Sequence, residues 1–286
     1  MGIVPPIAFN ARCQNILETC EPFLISYRDN WGAFDLNPFG VEIPKENLFD
    51  PTTLRSKHVV DGLHHLDSFT FGDQDMLMPR WVLFDCGSFP GVVFGFGRRA
   101  KNLDAATREA YHVAQGSDDD VFVPLSMWVA IRCAQEGAWF GHNLSSANLI
   151  LPKEHALPSL ATMTKAFGIV VAKASVQYGA TQWDSSSLNV HLSMGEMEIL
   201  NAVTPAHTHH YSFTYRIPVD IERLTRVLKP DWQRPQSQGD RTVMSNDLDS
   251  LESLHRQFEE GLQATLTGVD KKEDGVQQLW LTVKEH

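Results

Sequence analysis

The most regular alternation of hydrophobic and polar positions lies between residues 187 and 219. Strict alternation is typical of half-buried antiparallel strands, because successive side chains of a strand point to opposite faces. Two turn signals divide the segment, Gly195 with Glu196 and Thr204 with Pro205. The pattern therefore predicts a meander of three antiparallel strands. The alternating hydrophobic positions are Leu188, Val190, Leu192 and Met194, then Met197 and Ile199, then Tyr211, Phe213, Tyr215 and Ile217.

The rest of the chain mixes apolar runs bounded by Gly and Pro with segments of helical spacing. The pattern predicts strands at residues 92–96, 121–131 and 169–176, and helices at residues 157–167 and 247–266. Hairpins outnumber strand–helix–strand units in this order, which favours an antiparallel sheet. We predict an α+β fold with a mainly antiparallel sheet and helices packed on one face. A partly closed β-barrel or a sandwich-like core is the alternative.

The length of 286 residues suits one large domain or two ordinary ones. Residues 231–246 are polar and contain Pro235 and Gly239, which indicates an irregular surface loop. No segment before Trp232 has the composition of a linker. We therefore predict a single globular domain over residues 1–286, with the irregular surface loop at 231–246.

The composition excludes several classes of partner. A net charge of −11, from 24 basic and 35 acidic residues, argues against nucleic acid, because phosphate binding needs a basic surface. The four cysteines lack the spacing of a zinc knuckle or of a disulfide framework. No run reaches the roughly 18 apolar residues of a membrane helix, and the first residues do not have the pattern of a secretory signal. We predict, by elimination, a cytoplasmic protein without a membrane partner.

The common catalytic motifs are absent from the sequence. It contains no phosphate loop of the form G-x-x-x-x-G-K-[ST], no H-E-x-x-H zinc helix and no G-x-S-x-G nucleophile elbow. Any chemistry must therefore come from less specific clusters of polar residues.

One such cluster follows the strand predicted at residues 92–96. Gly95, Gly97, Arg98 and Arg99 lie in a sequence of the form G-x-G-x-x-A, which is one form of the dinucleotide-binding fingerprint. The acidic residue that the fingerprint requires after the next strand is not in the expected place. A looser interpretation is that two glycines beside two arginines hold a phosphate of coenzyme A or of a nucleotide. A twisted strand end with solvated arginines is the alternative.

A second cluster lies before the third strand of the predicted meander. His207 and His209 are two residues apart, so an extended backbone would place both rings on one face. Two imidazoles on one face form half of a zinc or iron site, and either ring could act as a general acid or base. Polar residues at an exposed sheet corner are the alternative.

Two further segments carry candidate site residues. His142 and Asn143 follow an apolar run, and we predict that they lie in a loop at the edge of the sheet, where binding residues are common. Asp184 lies in an aromatic-rich bend that is suited to line a pocket. Asp67, beside His64 and His65, could join such a pocket, but sequence spacing does not bring these residues together.

These clusters lead to three hypotheses about function. The first is a soluble enzyme that acts on a small molecule, with His142, His207 or His209 as acid–base or metal-binding groups and Asp184 as an orienting group. The second is a transferase that uses coenzyme A or a nucleotide, with residues 95–99 at the phosphates. The third is a non-catalytic ligand-binding or scaffold protein. No pattern identifies a metal, a cofactor or an oligomeric state.

Overall fold

A computed structural model describes residues 7–113, 120–272 and 275–284. The chain divides into two compact units, the first formed by Met1–Ala174 with Leu228–Pro230 and the second by Ser175–Val227 with Asp231–His286. Both units combine helices with a mostly antiparallel sheet that does not close into a barrel, which confirms the predicted α+β class. The single domain over residues 1–286 stays a prediction.

The first unit contains a sheet with helices on it. Its strands are β1 (Glu21–Ile25), β2 (Leu48–Phe49), β3 (Val92–Arg99), β4 (Phe122–Pro124), β5 (Ser126–Arg132) and β6 (Ala138–Ser146). Its helices are α1 (Ala11–Thr19), α2 (Lys57–Phe71), α3 (Arg80–Val82), α4 (Ala105–Ala110) and α5 (Leu160–Val171). The strand order is β6–β5–β3–β1–β2, and β4 also pairs with β3. The pairs are antiparallel except β1 with β2, which is parallel.

Helices cover both faces of the sheet in the first unit. Val93 of β3 belongs to a buried cluster with Leu63 of α2, whereas Phe94 packs on Phe167 of α5 with 6.1 Å between ring centroids. Successive strand residues point to opposite faces, so α2 and α5 lie on different faces. This corrects the prediction of helices on one face. The physical reason is that residues 92–96 form a continuous buried run, which is typical of a strand covered on both sides.

Helix α5 extends past its predicted end, into the residues predicted as the strand 169–176. Gly168 follows the predicted end of the helix at residue 167, yet it lies inside α5. A Cβ at Gly168 would lie 2.3 Å from the ring of Trp128 on β5. The glycine is therefore needed for a close approach of helix and sheet rather than to end the helix.

The second unit also combines strands with helices. Its strands are β7 (Val176–Gln182), β8 (Met197–Asn201), β9 (Ser212–Pro218), β10 (Arg241–Met244), β11 (Gln263–Lys271) and β12 (Gln277–Lys284). Its helices are α6 (Leu188–Met194), α7 (Ile221–Val227) and α8 (Leu248–Glu259). The strand order is β10–β12–β11–β8–β9–β7, with every pair antiparallel.

The predicted meander at residues 187–219 is correct in two of its three strands. The second and third strands are β8 and β9, but the first is helix α6. The buried positions of α6 include Leu188, His191 and Met194, which have the spacing of a helix face. Seven residues are too few to separate the two periodicities, because the same apolar residues also alternate along the chain.

Two other segments of the second unit differ from their predictions. The helix predicted at residues 247–266 ends at Glu259, and Gly261 follows with a φ of 104°, a left-handed conformation that ends helices. Within the predicted loop at 231–246, residues 241–244 form β10, because Val243 is buried and the segment pairs with β12. Among the described residues, no helix is long and apolar enough to cross a membrane.

Candidate functional site

His142 lies at an irregularity of strand β6 rather than in a loop after a strand. In the pairing with β5, Val129 faces Asn143 while Ala130 faces Gly141, so His142 is the extra residue of a β-bulge. A bulge bends its strand and changes the direction of a side chain, and bulges are frequent beside active sites. The side chain of His142 is exposed, and that of Asn143 next to it is buried.

A chain of hydrogen bonds connects His142 to a buried carboxylate. The Nδ1 atom of His142 lies 2.5 Å from Oδ1 of Asn143, and Nδ2 of Asn143 donates to Oδ1 of Asp67 over 2.5 Å. Asp67 belongs to α2 and is only 2% exposed. Its other oxygen accepts a 2.7 Å hydrogen bond from the backbone N–H of Met78. We refer to this arrangement as the Asp67–Asn143–His142 chain.

The direction of these hydrogen bonds determines where the histidine carries its proton. An ionised carboxylate only accepts, so the amide nitrogen of Asn143 must face Asp67 and the amide oxygen must face His142. That oxygen accepts, so Nδ1 of His142 carries a hydrogen. In the neutral ring the lone pair is then on Nε2. Because the side chain of His142 is exposed, a lone pair on Nε2 is suited to accept a proton from a bound molecule.

The carboxyl group of Asp67 is perturbed by its surroundings. Burial raises the pKa of Asp67 above its usual value, while the hydrogen bonds from Met78 and Asn143 and the nearby His142 act in the opposite direction. Burial has the larger effect because it removes water from the charged form. Perturbed pKa values cluster at functional sites.

The raised pKa of Asp67 predicts a pH dependence of stability. A carboxyl whose pKa is higher in the folded state contributes stability below its unfolded pKa and loses that contribution as the pH rises through its folded pKa. We expect the free energy of unfolding of the native chain, relative to the Asp67→Asn variant, to fall as the pH rises from about 4. Urea unfolding of both proteins over a series of pH values measures this difference. A difference that stays constant or grows with pH would contradict the assignment.

The two histidines near Asp67 do not join its hydrogen bonds. The Nε2 atom of His65 lies 3.0 Å from the backbone oxygen of Ala110. The Nε2 atom of His64 is buried and has no hydrogen-bond partner among the described residues. Burial, with a contribution from Arg80, lowers the pKa of His64. The side chain that donates to Asp67 is instead that of Asn143, which is 76 positions later in the sequence.

Asp184 belongs to the second unit and is exposed at the bend after β7. Its backbone oxygen accepts a 2.7 Å hydrogen bond from Nε2 of Gln277. In the same unit, Oγ of Ser187 lies 3.0 Å from Nε2 of His191, one helical turn later. The sequence pattern missed this pair, because it assigned both residues to a strand in which they would not meet. The role of Asp184 as an orienting group stays a prediction.

His207 and His209 lie in a turn between β8 and β9 rather than on an extended strand. Their ring centroids are 6.2 Å apart, and the backbone N–H of His209 donates to Nδ1 of His207 over 3.0 Å. The alternation that would have placed both rings on one face is therefore absent. In the part of the chain that the structure describes, no group of three or more His, Cys, Asp or Glu residues is placed to hold a metal ion.

Gly95 and Gly97, which we predicted to hold a phosphate together with Arg98 and Arg99, are inside strand β3. A Cβ at Gly95 would lie 2.7 Å from the ring of Phe23, and one at Gly97 would lie 2.5 Å from the ring of Phe122. Both glycines are thus required by close packing against aromatic rings. Their backbone groups take part in the pairing of β3 with its neighbours.

The arginines that follow these glycines contact other parts of the protein. Arg98 donates from Nε to the backbone oxygen of Thr19 over 2.8 Å, and Arg99 donates to Oδ1 of Asn47. The guanidinium carbon of Arg99 also lies 5.0 Å from the centroid of the Phe122 ring. The side chains are 14% and 16% exposed. This geometry gives no support to a phosphate cradle at residues 95–99.

Comparisons with known proteins found weak structural similarities. No protein-family model and no curated protein sequence matches the chain. A chain from a crystal structure of the NatC complex bound to Gag peptide and CoA is similar with a TM-score of 0.38 and 11% identity, over 59% of this chain and 96% of that one. A crystal structure of nourseothricin acetyltransferase is similar with a TM-score of 0.27 and 10% identity, over 36% of this chain and 61% of that one. These values are too low for an inference about function.

Proposed function

We propose that this protein is an enzyme that acts on a small molecule, with His142 as its general base. The observation that carries the proposal is the Asp67–Asn143–His142 chain. A neutral imidazole is the side chain that most often accepts protons in catalysis at neutral pH. Here Nδ1 of His142 donates to Asn143, so the lone pair of the neutral ring is on Nε2.

The role of each residue follows from its hydrogen bonds. Nε2 of His142 accepts a proton from a hydroxyl, amine or water as that group attacks an electrophilic carbon or phosphorus. The ring becomes a cation, and the amide oxygen of Asn143 stabilises it through the N–H on Nδ1. The same Nε2 then donates the proton to the leaving group as the bond between the electrophile and the leaving group breaks. Asp67 holds the amide in the required orientation through a buried hydrogen bond. Asn143 and Asp67 are therefore positioning residues, as are the residues that orient the histidine in other nucleophile–base systems.

Transfer of an acyl group to an amine or hydroxyl is one reaction that needs such a base. Use of coenzyme A or of a nucleotide by this protein stays a prediction. The contacts of residues 95–99 do not support it. The alternative of a non-catalytic binding protein predicts that no bound molecule reacts at all. A test of the proposal must therefore separate these three possibilities.

The test is an activity screen of the full chain with matched histidine variants. Its arms are hydrolysis of p-nitrophenyl acetate, acetyl transfer from acetyl-coenzyme A to a panel of amines, and phosphoryl transfer from ATP to the same amines. We expect turnover in one arm, and we expect His142→Gln to lower kcat by about 10²- to 10⁴-fold, the usual contribution of general acid–base catalysis.

His207→Gln is the matched control, since His207 is also an exposed histidine. It should leave kcat unchanged. Turnover that survives His142→Gln, or that depends on His207 instead, would refute the role of His142. Absence of turnover in every arm would favour the non-catalytic binding protein.

A further inference from the structure

A cleft of about 300 Å³ in the first unit contains charged groups that the proposed reaction does not use. It lies beside the first two turns of α2, and the chain from α3 into the following π-helical turn forms another wall. The residues that line the cleft include Lys57, Val60, Asp61, Arg80, Phe84 and Ser88. Concave sites of this size that combine apolar walls with a few polar groups are typical of small-molecule binding.

The charges of the cleft do not cancel. Nζ of Lys57 lies 2.6 Å from Oδ2 of Asp61, and Nη1 of Arg80 lies 2.6 Å from Oδ1 of the same carboxylate. Burial acts to raise the pKa of Asp61, but the hydrogen bonds from Lys57 and Arg80 outweigh it and lower the pKa. Asp61 is therefore an anion that two cations share. Lys57, Arg80 and Asp61 together carry one net positive charge at the edge of the cleft.

Arg80 has hydrogen-bonding capacity left for a ligand. In the described part of the chain its guanidinium donates to Asp61 through Nη1, and a guanidinium offers five N–H groups in a planar fork. The side chain is 61% exposed, so the remaining N–H groups are accessible. A guanidinium fork matches the two oxygens of a carboxylate. The charge and the shape of this group thus favour a monoanionic carboxylate.

A second observation comes from Ser88. This residue lines the cleft and is 1% exposed, and its Oγ has no hydrogen-bond partner among the described residues. Buried hydroxyl groups are nearly always hydrogen-bonded, so one without a partner requires an explanation. A ligand oxygen in the cleft would supply that partner. Val60 and the partly exposed ring of Phe84 form apolar surface in the same cleft.

We propose that this cleft is a binding site for a small organic acid with an apolar body. Its carboxylate binds Arg80 and Lys57 next to Asp61, the hydroxyl of Ser88 donates to a ligand oxygen, and the apolar part covers Val60 and Phe84. The site is independent of the Asp67–Asn143–His142 chain, because none of the residues that define it belongs to that chain.

The first test measures binding of benzoate to the full chain by calorimetry, with benzamide as a neutral probe of the same shape. We expect saturable binding of benzoate, and binding of benzamide at least about tenfold weaker, because a hydrogen bond to a charged group contributes more than one between neutral groups. Arg80→Gln should weaken benzoate binding at least about tenfold. Arg12→Gln, on the exposed surface of α1, should not change it. Equal affinity for benzoate and benzamide, or an unchanged affinity in Arg80→Gln, would overturn the proposal.

The second test uses a variant that should bind benzoate more tightly, whereas Arg80→Gln should bind it more weakly. Asp61→Asn removes the carboxylate that competes with the ligand for Lys57 and Arg80. Benzoate should therefore bind this variant more tightly, whereas a loss of local structure would weaken binding. Circular dichroism checks that each variant is folded. Folded Asp61→Asn that binds benzoate more weakly than the native chain would refute the proposed role of the two cations.

Discussion

Replacing Asp67 by Asn is expected to move the hydrogen of His142 from Nδ1 to Nε2. The new amide would accept from Met78 with its oxygen and donate to Asn143 with its nitrogen, so the amide of Asn143 would have to turn over. Its nitrogen would then face His142, whose Nδ1 would have to accept. The lone pair of Nε2 would be lost, and kcat should fall by about 10²- to 10⁴-fold, as expected when a base is held in the wrong tautomer.

Nitrogen NMR of the histidine rings measures the tautomer directly, without knowledge of the substrate. Asp61→Asn is the matched control, because it makes the same chemical change on the same helix, away from this hydrogen-bond chain. In that control His142 should keep its hydrogen on Nδ1. If Asp67→Asn also leaves the hydrogen on Nδ1, the amide of Asn143 does not transmit the state of Asp67, and the positioning roles are wrong.

The Gly95→Ala variant is expected to be strongly destabilised. The new methyl carbon would lie 2.0 Å from the backbone oxygen of Ser126 and 2.7 Å from the ring of Phe23, both in the buried sheet. Backbone cannot move aside as the end of a side chain can, so the strands must separate. Overpacking of this kind lowers the free energy of unfolding by about 3 kcal/mol, a large share of the roughly 5–15 kcal/mol of an ordinary domain.

Gly72→Ala provides the control for this substitution. Gly72 follows α2 in a helical conformation, and a Cβ there would meet no atom within 4 Å. We expect a change within about 0.5 kcal/mol. Urea unfolding measures both variants. A Gly95→Ala protein as stable as Gly72→Ala would mean that Gly95 is free of packing constraints, which is the environment that a glycine loop would have.

Long segments with a single clear period were predictable from the sequence. Residues 211–217 alternate along their whole length, and β9 covers residues 212–218. Helix α8 was predicted from apolar residues at helical spacing over several turns, and only its C-terminal end was misplaced. In contrast, α6 has seven residues that satisfy both periods. Packing decided between them, because burial of Leu188, His191 and Met194 requires one face of a helix.

The glycine motif illustrates a different limit of sequence patterns. The residue types at positions 95–100 match the dinucleotide-binding fingerprint, but this fingerprint has chemical meaning only in a loop between a strand and a helix. Here the same glycines allow Phe23 and Phe122 to pack against a central strand. A glycine in a sequence indicates that a side chain is excluded, and only the structure identifies what excludes it.

The candidate site shows most clearly which features follow from the sequence and which depend on the tertiary structure. The sequence by itself determined the class of fold, the mainly antiparallel sheet and a short set of polar residues that included His142. Only the tertiary structure decided which histidine has a buried carboxylate behind it, because Asp67 and Asn143 are 76 positions apart and meet through the packing of α2 beside β6. Periodicity reports local burial over a few residues, whereas a hydrogen-bond chain depends on contacts between distant segments that no local pattern contains.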